Sequence, residues 1–530
     1  MAFKLLICAV ILLICIVSQK ITNRIGVPSL LIFIALGMVF GSDGIFKIPF
    51  DNYVFAEQVC SIALIFIIFY GGFGTNWNMA KQVIGKSITL STLGVILTAL
   101  LTGVFCHFIL KIEILESFLI GAVISSTDAA SVFAILRSKK LNLKDGTASI
   151  LEVESGSNDP FAYMLTIIML TLMSSGGIAK LPSLLFTQII FGLVIGVLVA
   201  FIAIYAIQRT SFLHDGLDVI FVLAIAIIAY ALPSVLNGNG YLSAYIAGII
   251  IGNSKIKNKI SLVHFFDGIT GLAQMFIFFL LGLLAFPSQM PAIIVPAILI
   301  FIFLTFIARP LTVFLLLSPM KCSMNQKLLI SWAGLRGASS IVFAIVAMLS
   351  ESYMKNDVFH IVFCLCLISV AFQGTLLPYI AHKLNMVDDD SDVLKTFTDY
   401  QDETKMQLIK TMITPSHHWV GQMISELNLT DTLVVMIKRD NETIIPHGNT
   451  VIEPNDLLVL SGEGYEDNDP VKLNELKMEA GHKWLNRPIK DLPLPNHTLI
   501  ILIKRADGTT IIPKGETCIK LDDTLVLSDI

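Results

Sequence analysis

Residues 154–160 read ESGSNDP, and they interrupt a run that is otherwise apolar, with TASILEV before them at 147–153 and FAYMLTIIMLTLM after them at 161–173. The flanks read as one long helix. Glu154 and Asp159 fall inside it, and Asp159 immediately precedes a proline. An ionised carboxylate at the centre of a bilayer costs about 2.5–3.5 kcal/mol on insertion scales. If the flanks span a membrane, that cost needs a chemical reason.

Composition places them in lipid. The chain has 530 residues, 55% hydrophobic and 14% charged, with mean hydropathy +0.79, far from a soluble globular domain. A net charge of -4 and the absence of a long basic tract exclude a nucleic-acid partner. The 8 cysteines are scattered singly without CxxC spacing, so they read as small hydrophobes, and no transition metal or cofactor is expected. The start of the chain resembles a secretory signal because Lys4 precedes an apolar run. No small-residue cleavage site follows and many more spans do, so it reads as the first span.

Between residues 2 and 380 we count thirteen stretches long enough, or nearly so, to cross a bilayer. An odd number places the termini on opposite sides. One set of loops holds Lys20, Arg24, Lys81, Lys86, Arg137, Lys139, Lys140, Lys255 and Lys383 among others, whereas the alternate set holds Lys4, Lys47, Lys111, Lys180 and Lys355. The asymmetry predicts the N-terminus outside and the C-terminus in the cytoplasm.

Residues 1–385 are thus the membrane domain and 386–404 an acidic tether. The rest is an internal repeat, with one module over 405–465 and a second over 466–530. Trp419 matches Trp484, Lys438-Arg439 matches Lys504-Arg505, Ile444-Ile445-Pro446 matches Ile511-Ile512-Pro513, and Asp456 matches Asp523. Each copy predicts a short helix, a β-hairpin turning at Asp440-Asn441 or Asp507-Gly508, and a further strand. For His417-His418 a metal site is disfavoured, since no third ligand lies nearby.

Three spans carry polar clusters: SSTDAAS with Thr127 and Asp128 in the fifth, Glu152 to Asp159 in the sixth, and GLRGASS with Arg336 in the twelfth. The fifth and twelfth run in opposite directions, each broken near its middle. That is the pattern of an inverted-repeat secondary transporter with crossed broken helices. On the sixth span Ser155 and Asp159 share one face, and Glu154 and Asn158 share the next. Asp159 is the candidate mobile charge, assisted by Ser155 and by oxygens of Thr127 and Asp128. Arg336 is the expected partner of Glu154. Asp159 would hold a proton or a cation but not both, which predicts electroneutral exchange of one for one. Two readings stay open for Arg309: a functional charge, or a guanidinium satisfying carbonyls freed at a Pro310 kink. Two also stay open for Glu152, which at the cytoplasmic end of its span could simply reach water.

These three motifs together resemble the monovalent cation:proton antiporter family of bacteria, archaea and animal sodium/proton exchangers, in its asparagine-aspartate branch. The resemblance covers about residues 1–385. It implies a moving core beside a dimerisation part, elevator-type access, a homodimer, and a bacterial inner-membrane location. It implies an ion site at Thr127, Asp128, Ser155 and Asp159, a supporting Asn158, and a structural pair of Glu154 with Arg336. One departure stands out: where many relatives carry an acid before the glycine pair of the third span, this chain has Tyr70. The tail resembles the C-terminal regulatory subdomain of potassium-conductance and potassium-uptake regulators in two copies, without a dinucleotide-binding half. That implies a small-molecule or nucleotide ligand and tilts the expected cargo from sodium toward potassium. The rival reading is a ligand-gated cation channel. An aspartyl protease built on Asp128 and Asp159 is disfavoured because its GxGD context is absent, so no enzyme activity is expected.

Overall fold

The computed structural model describes the chain except residues 1, 26–27, 76, 140, 175–177, 210–216, 255, 257–258, 351, 353, 389–405, 416, 428–431, 440–441, 464–471, 479–481, 493, 495–497, 506–509, 512, 514 and 530. The predicted turns at Asp440-Asn441 and Asp507-Gly508 therefore lie outside the described residues. The chain divides into two compact units, Met1–Glu403 and Thr404–Ile530.

The first unit is helical. In chain order its helices are α1 (Ala2–Ile25), α2 (Ser29–Phe40), α3 (Tyr53–Gly74), α4 (Trp77–Thr89), α5 (Val95–Phe108), α6 (Ile114–Val123), α7 (Ala129–Ser138), α8 (Thr147–Met173), α9 (Leu181–Arg209), α10 (Leu217–Val235), α11 (Gly240–Gly252), α12 (Lys259–Leu284), α13 (Met290–Phe303), α14 (Arg309–Leu317), α15 (Met324–Trp332), α16 (Ala338–Met348), α17 (Val358–Ile368) and α18 (Thr375–Lys383). Among the described residues 7 helical segments are long and apolar enough to cross a membrane, and shorter apolar helices accompany them. Leu198, Phe201, Ile202, Ile220 and Ile228 stand exposed on α9 and α10, a face suited to lipid rather than water.

Local sequence sets several boundaries. Asn52, Asn239, Ser323 and Asp357 each accept a hydrogen bond from the backbone N–H three residues on, capping α3, α11, α15 and α17. Wide π-helical turns at Leu90–Gly94, Leu304–Ala308 and Ser369–Gly374 join α4 to α5, α13 to α14 and α17 to α18. The Pro310 kink foreseen from sequence is thus a π turn that delivers Arg309 at its end. Where α2 crosses α12, Gly37 meets Gly282 so closely that a β-carbon on either would strike the other helix's backbone, the close packing that small residues permit in lipid.

The segment after α18 is not free chain. Leu143 pairs with Val387 in an antiparallel bridge, Lys144 N donates to Met386 O at 2.9 Å, and Asp388 N donates to Asn142 O at 3.0 Å. Met386 and Val387 are buried against Leu136, Ile150, Leu329 and Leu377. The start of the tether is thereby clasped to the loop between α7 and α8.

In the second unit the repeat forms two four-stranded antiparallel sheets of the same order. β1 (Met406–Met412), β2 (Thr432–Arg439), β3 (Glu442–Ile444) and β4 (Leu457–Glu463) assemble as β1-β4-β2-β3. β5 (Lys472–Lys477), β6 (Thr498–Lys504), β7 (Thr510–Ile511) and β8 (Thr524–Asp529) assemble as β5-β8-β6-β7. Two expectations need correction. Each copy begins with a strand the sequence reading lacked, and the predicted short helix is a single 3₁₀ turn, Ile424–Glu426 or Ile489–Asp491. The segment before each turn is too short and too broken by Gly421 or Pro488 to propagate a helix. His417 and His482 are spent locally, each accepting at Nδ1 from the backbone N–H of the following tryptophan.

The repeated Arg and Asp are the polar tie of each module. Arg439 grips Asp456 through Nε and Nη2, both at 2.8 Å, and Arg505 donates to Asp523 at 2.5 Å. Burial pushes the Asp456 carboxyl up, but the Arg439 and Glu453 hydrogen bonds and the guanidinium charge outweigh it, leaving its pKa below the ordinary value. A depressed folded value means this stabilisation is full above the unfolded pKa and fades only as pH falls through the folded one. We predict that Asp456→Ala lowers the opening free energy of the first module by about 1–3 kcal/mol, read as faster limited proteolysis of the full chain at neutral pH. Lys477→Ala, which removes an exposed pair at 3.9 Å, should leave the second module's cleavage unchanged.

Candidate ion site where two interrupted helices cross

α6 stops at Val123 and α7 resumes at Ala129; α15 stops at Trp332 and α16 resumes at Ala338. Carbonyls in the unwound break between two half-helices lack helical donors and, away from water, must find others. Arg336 supplies them: its Nη1 donates to Ser125 O at 2.7 Å and Ser126 O at 2.6 Å. In return Asp128 N donates to Leu335 O at 2.8 Å. The second interruption is braced from the π turn of the last helix pair. There Arg336 N donates to Ser369 Oγ at 3.0 Å, and Gln373 and Trp332 exchange hydrogen bonds.

The side chains of 125–128 then divide between capping and the α8 segment. Asp128 caps α7, accepting from Ser131 N at 3.1 Å and Ser131 Oγ at 2.5 Å, a negative group where the helix dipole is positive. Its carboxylate lies against Gly337, where a β-carbon would collide with it. Thr127 Oγ1 accepts from Asn158 Nδ2 at 2.5 Å, and Thr127 O accepts from Ser155 Oγ at 2.7 Å. Asp159 receives Ser126 Oγ on Oδ1 and Ser339 Oγ on Oδ2, the latter at 2.8 Å. Among the described residues no lysine or arginine forms an ion pair with Asp159. Ser126 and Ser339 were missed in the sequence reading although both sit inside the quoted motifs. The signal was there: each is a hydroxyl next to a helix break.

The expected pairing of Glu154 with Arg336 is not what the structure holds. Glu154 Oε1 pairs with Arg309 Nη2 at 2.6 Å, both side chains at most 4% exposed, while Arg336 is committed to the carbonyls. The π turn at Leu304–Ala308 rotates Arg309 toward α8, and Gly334 leaves room for it, since a β-carbon there would fall 2.9 Å from Arg309 Nε. Arg309 therefore does not satisfy kink carbonyls; it neutralises Glu154.

A cavity of about 400 Å³ reaches Asp159 between two walls, one carrying Asp128, Glu152, Ser155, Asp159 and Ser339, the other Tyr70, Asp267 and Thr270. Glu152 is half-buried on the cavity wall. Of the two α8 stripes, Ser155 and Asp159 line this space, while Glu154 and Asn158 turn to protein. Tyr70, which stands where an acid was expected, donates to Asp267 Oδ1 at 2.9 Å. A carboxylate is thus present at that position, brought by α12 from 197 residues away.

Removing one member of a buried pair leaves an uncompensated charge and costs about 3–5 kcal/mol. Glu154→Ala and Arg309→Ala should each lower the melting temperature of the purified protein, and the double variant should lose less than the sum. A double-mutant cycle of Glu154 with Arg336 should show the smaller coupling energy; the reverse order would contradict the pairing seen here.

Comparisons with known proteins agree with this architecture. Residues 9–383 match the profile of the sodium/hydrogen exchanger transmembrane family, and residues 411–464 and 473–528 each match the TrkA-C domain. The chain is 36% identical over 388 residues to the K(+)/H(+) antiporter NhaP of Alkalimonas amylolytica, covering 72% of this chain and 67% of that one. It is 30% identical over 465 residues to the K(+)/H(+) antiporter NhaP2 of Shewanella oneidensis, covering 86% and 81%. The solved sodium proton antiporter MjNhaP1 of Methanocaldococcus jannaschii superposes with TM-score 0.63 at 26% identity, over 72% of this chain and 99% of that one. On the match of its whole membrane unit, the chain belongs to the sodium/hydrogen exchanger family.

Proposed function

We propose that the protein is a secondary active antiporter that exports K+, or Na+, in exchange for protons across a bacterial plasma membrane. The observation that carries this is Asp159, a carboxylate at a helix crossing, held by two hydroxyls and facing a cavity. Such a group can release a proton to the cavity and take a dehydrated cation in its place. Asp159, Ser155 and Asp128 are the proposed cation ligands on the cavity side, with Ser126 and Ser339 holding the Asp159 carboxylate. Thr127 and Asn158 support them from behind, and Glu154 with Arg309 fixes the rotational setting of α8.

The cavity lies at the end of the bundle where α3 ends and α8 and α12 begin, the side the loop charges assign to the cytoplasm. The proposed plan is thirteen crossings with inverted repeats over residues 1–385, N-terminus outside, working as a homodimer. The tether (386–404) leads to two modules (405–465 and 466–530) that bind a small molecule or nucleotide. The clasp between 142–144 and 386–388 supports a regulatory tail, because it joins the tether to the loop between the helix that Asp128 caps and the helix that carries Asp159. No relative named above favours the ligand-gated channel.

In proteoliposomes, adding K+ or Na+ should alkalinise or acidify the lumen according to the imposed gradient, without electrical current. Asp159→Asn should abolish that flux; normal flux from a folded variant would reject the assignment. A chain ending after Asp388 should still exchange but lose tail-dependent regulation, whereas one ending after Leu384 loses the clasp and should fall in rate. Equal rates for the two truncations would count against the clasp.

A further inference from the structure

The wall of the cavity opposite Asp159 carries a charge that the exchange chemistry leaves without a task. Asp267 is exposed, lies in the third turn of α12, and lines the cavity together with Tyr70 of α3. The Tyr70 hydroxyl donates to Oδ1 at 2.9 Å; among the described residues Oδ2 accepts no hydrogen bond. No lysine or arginine is among the described residues lining the cavity. Among the described residues the charge of Asp267 is therefore tethered in place without a basic partner.

Helical spacing extends this charge into a track. Thr270 and Gln274 follow Asp267 on one stripe of α12, and both line the cavity one and two turns deeper. Gly71 and Gly74 of α3 and Gly271 of α12 face open space, with nothing within 4 Å of where a β-carbon would stand. These glycines leave the space beside the two walls open.

We propose that Asp267, oriented by Tyr70, recruits the monovalent cation at the cavity mouth and passes it along the Thr270–Gln274 stripe to Asp159. This inference rests on the antiport reading above. Asp267 is a capture residue for the cation and not the exchanged group. A single tethered carboxylate attracts a hydrated ion without stripping it, so it governs how much cation is needed and not how fast a loaded site turns over.

The test is cation-driven proton flux in proteoliposomes of the full chain, with K+ and with Na+, at constant ionic strength. Asp267→Asn should raise the half-saturating cation concentration about three- to tenfold, the scale of one charge acting across a partly aqueous gap, with the saturated rate nearly unchanged. Asp267→Glu should restore the wild-type value. Tyr70→Phe, which frees the carboxylate but keeps it, should give a smaller rise in the same direction. Raising ionic strength with an inert salt should shrink the difference between wild type and Asp267→Asn, which a packing defect would not do. An unchanged half-saturation in Asp267→Asn, or a lost saturated rate that Asp267→Glu does not recover, overturns the inference while leaving antiport intact. Absence of cation-dependent flux in the wild type overturns both.

Discussion

Two carbonyls and one guanidinium hold the membrane unit in its working shape. Where α6 breaks off, Ser125 and Ser126 present carbonyl oxygens that no helix turn serves, and Arg336 Nη1 takes both. In a lipid-embedded bundle an unserved carbonyl costs several kcal/mol, so without that contact the break would anneal into continuous helix or admit water. The positive group also sits at the negative end of the α6 dipole, and Asp128 sits at the positive start of α7. Both ends of the break are compensated by the side chains that cross it. Only because the break persists are the hydroxyls of Ser126 and Ser339 available to a carboxylate on a third helix.

The four residues Gly334-Leu335-Arg336-Gly337 then read as separate solutions to one packing problem. Gly334 yields space to Arg309, Leu335 offers its carbonyl to Asp128 N, Arg336 reaches across to the other break, and Gly337 lets the Asp128 carboxylate lie on the backbone. The two arginines divide the work. Arg336 stabilises backbone, and Arg309 neutralises Glu154 and so fixes which stripe of α8 faces the cavity. Because α8 is a single helix, fixing Glu154 inward to protein places Ser155 and Asp159 toward the cavity.

Much of this was legible in the sequence because helical periodicity and membrane cost act locally. The interrupted spans, the split of α8 into two stripes and the doubled tail follow from spacing and repetition alone. What was not legible depends on contacts between distant segments. The partner of Glu154 was misassigned because Arg336 lies in a conspicuous motif, while Arg309 is brought round by a π turn that leaves no periodic mark. Asp267 was invisible for a similar reason: nothing near it in the chain marks it, and its meaning comes from Tyr70 on another helix. The first strand of each tail module escaped because β1 and β5 precede the repeated text and gain their identity only by pairing with β4 and β8.

Under the proposed exchange, coupling follows from the charges gathered at the crossing. Asp128, Glu154 and Asp159 contribute three negative charges when ionised and Arg309 and Arg336 two positive ones, so the sum is 2 − 3 = −1. One proton or one monovalent cation brings it to zero. Asn158 keeps it there, since a second acid at that position would demand a second positive charge. An empty, ionised core would carry an uncompensated charge through the bilayer centre at a cost of about 2.5–3.5 kcal/mol or more, while a core loaded with either ion would not. Under the proposed exchange, the same desolvation cost that makes ESGSNDP improbable in a membrane helix is what suppresses movement of the unloaded core, so that each outward cation is matched by an inward proton without a separate gate.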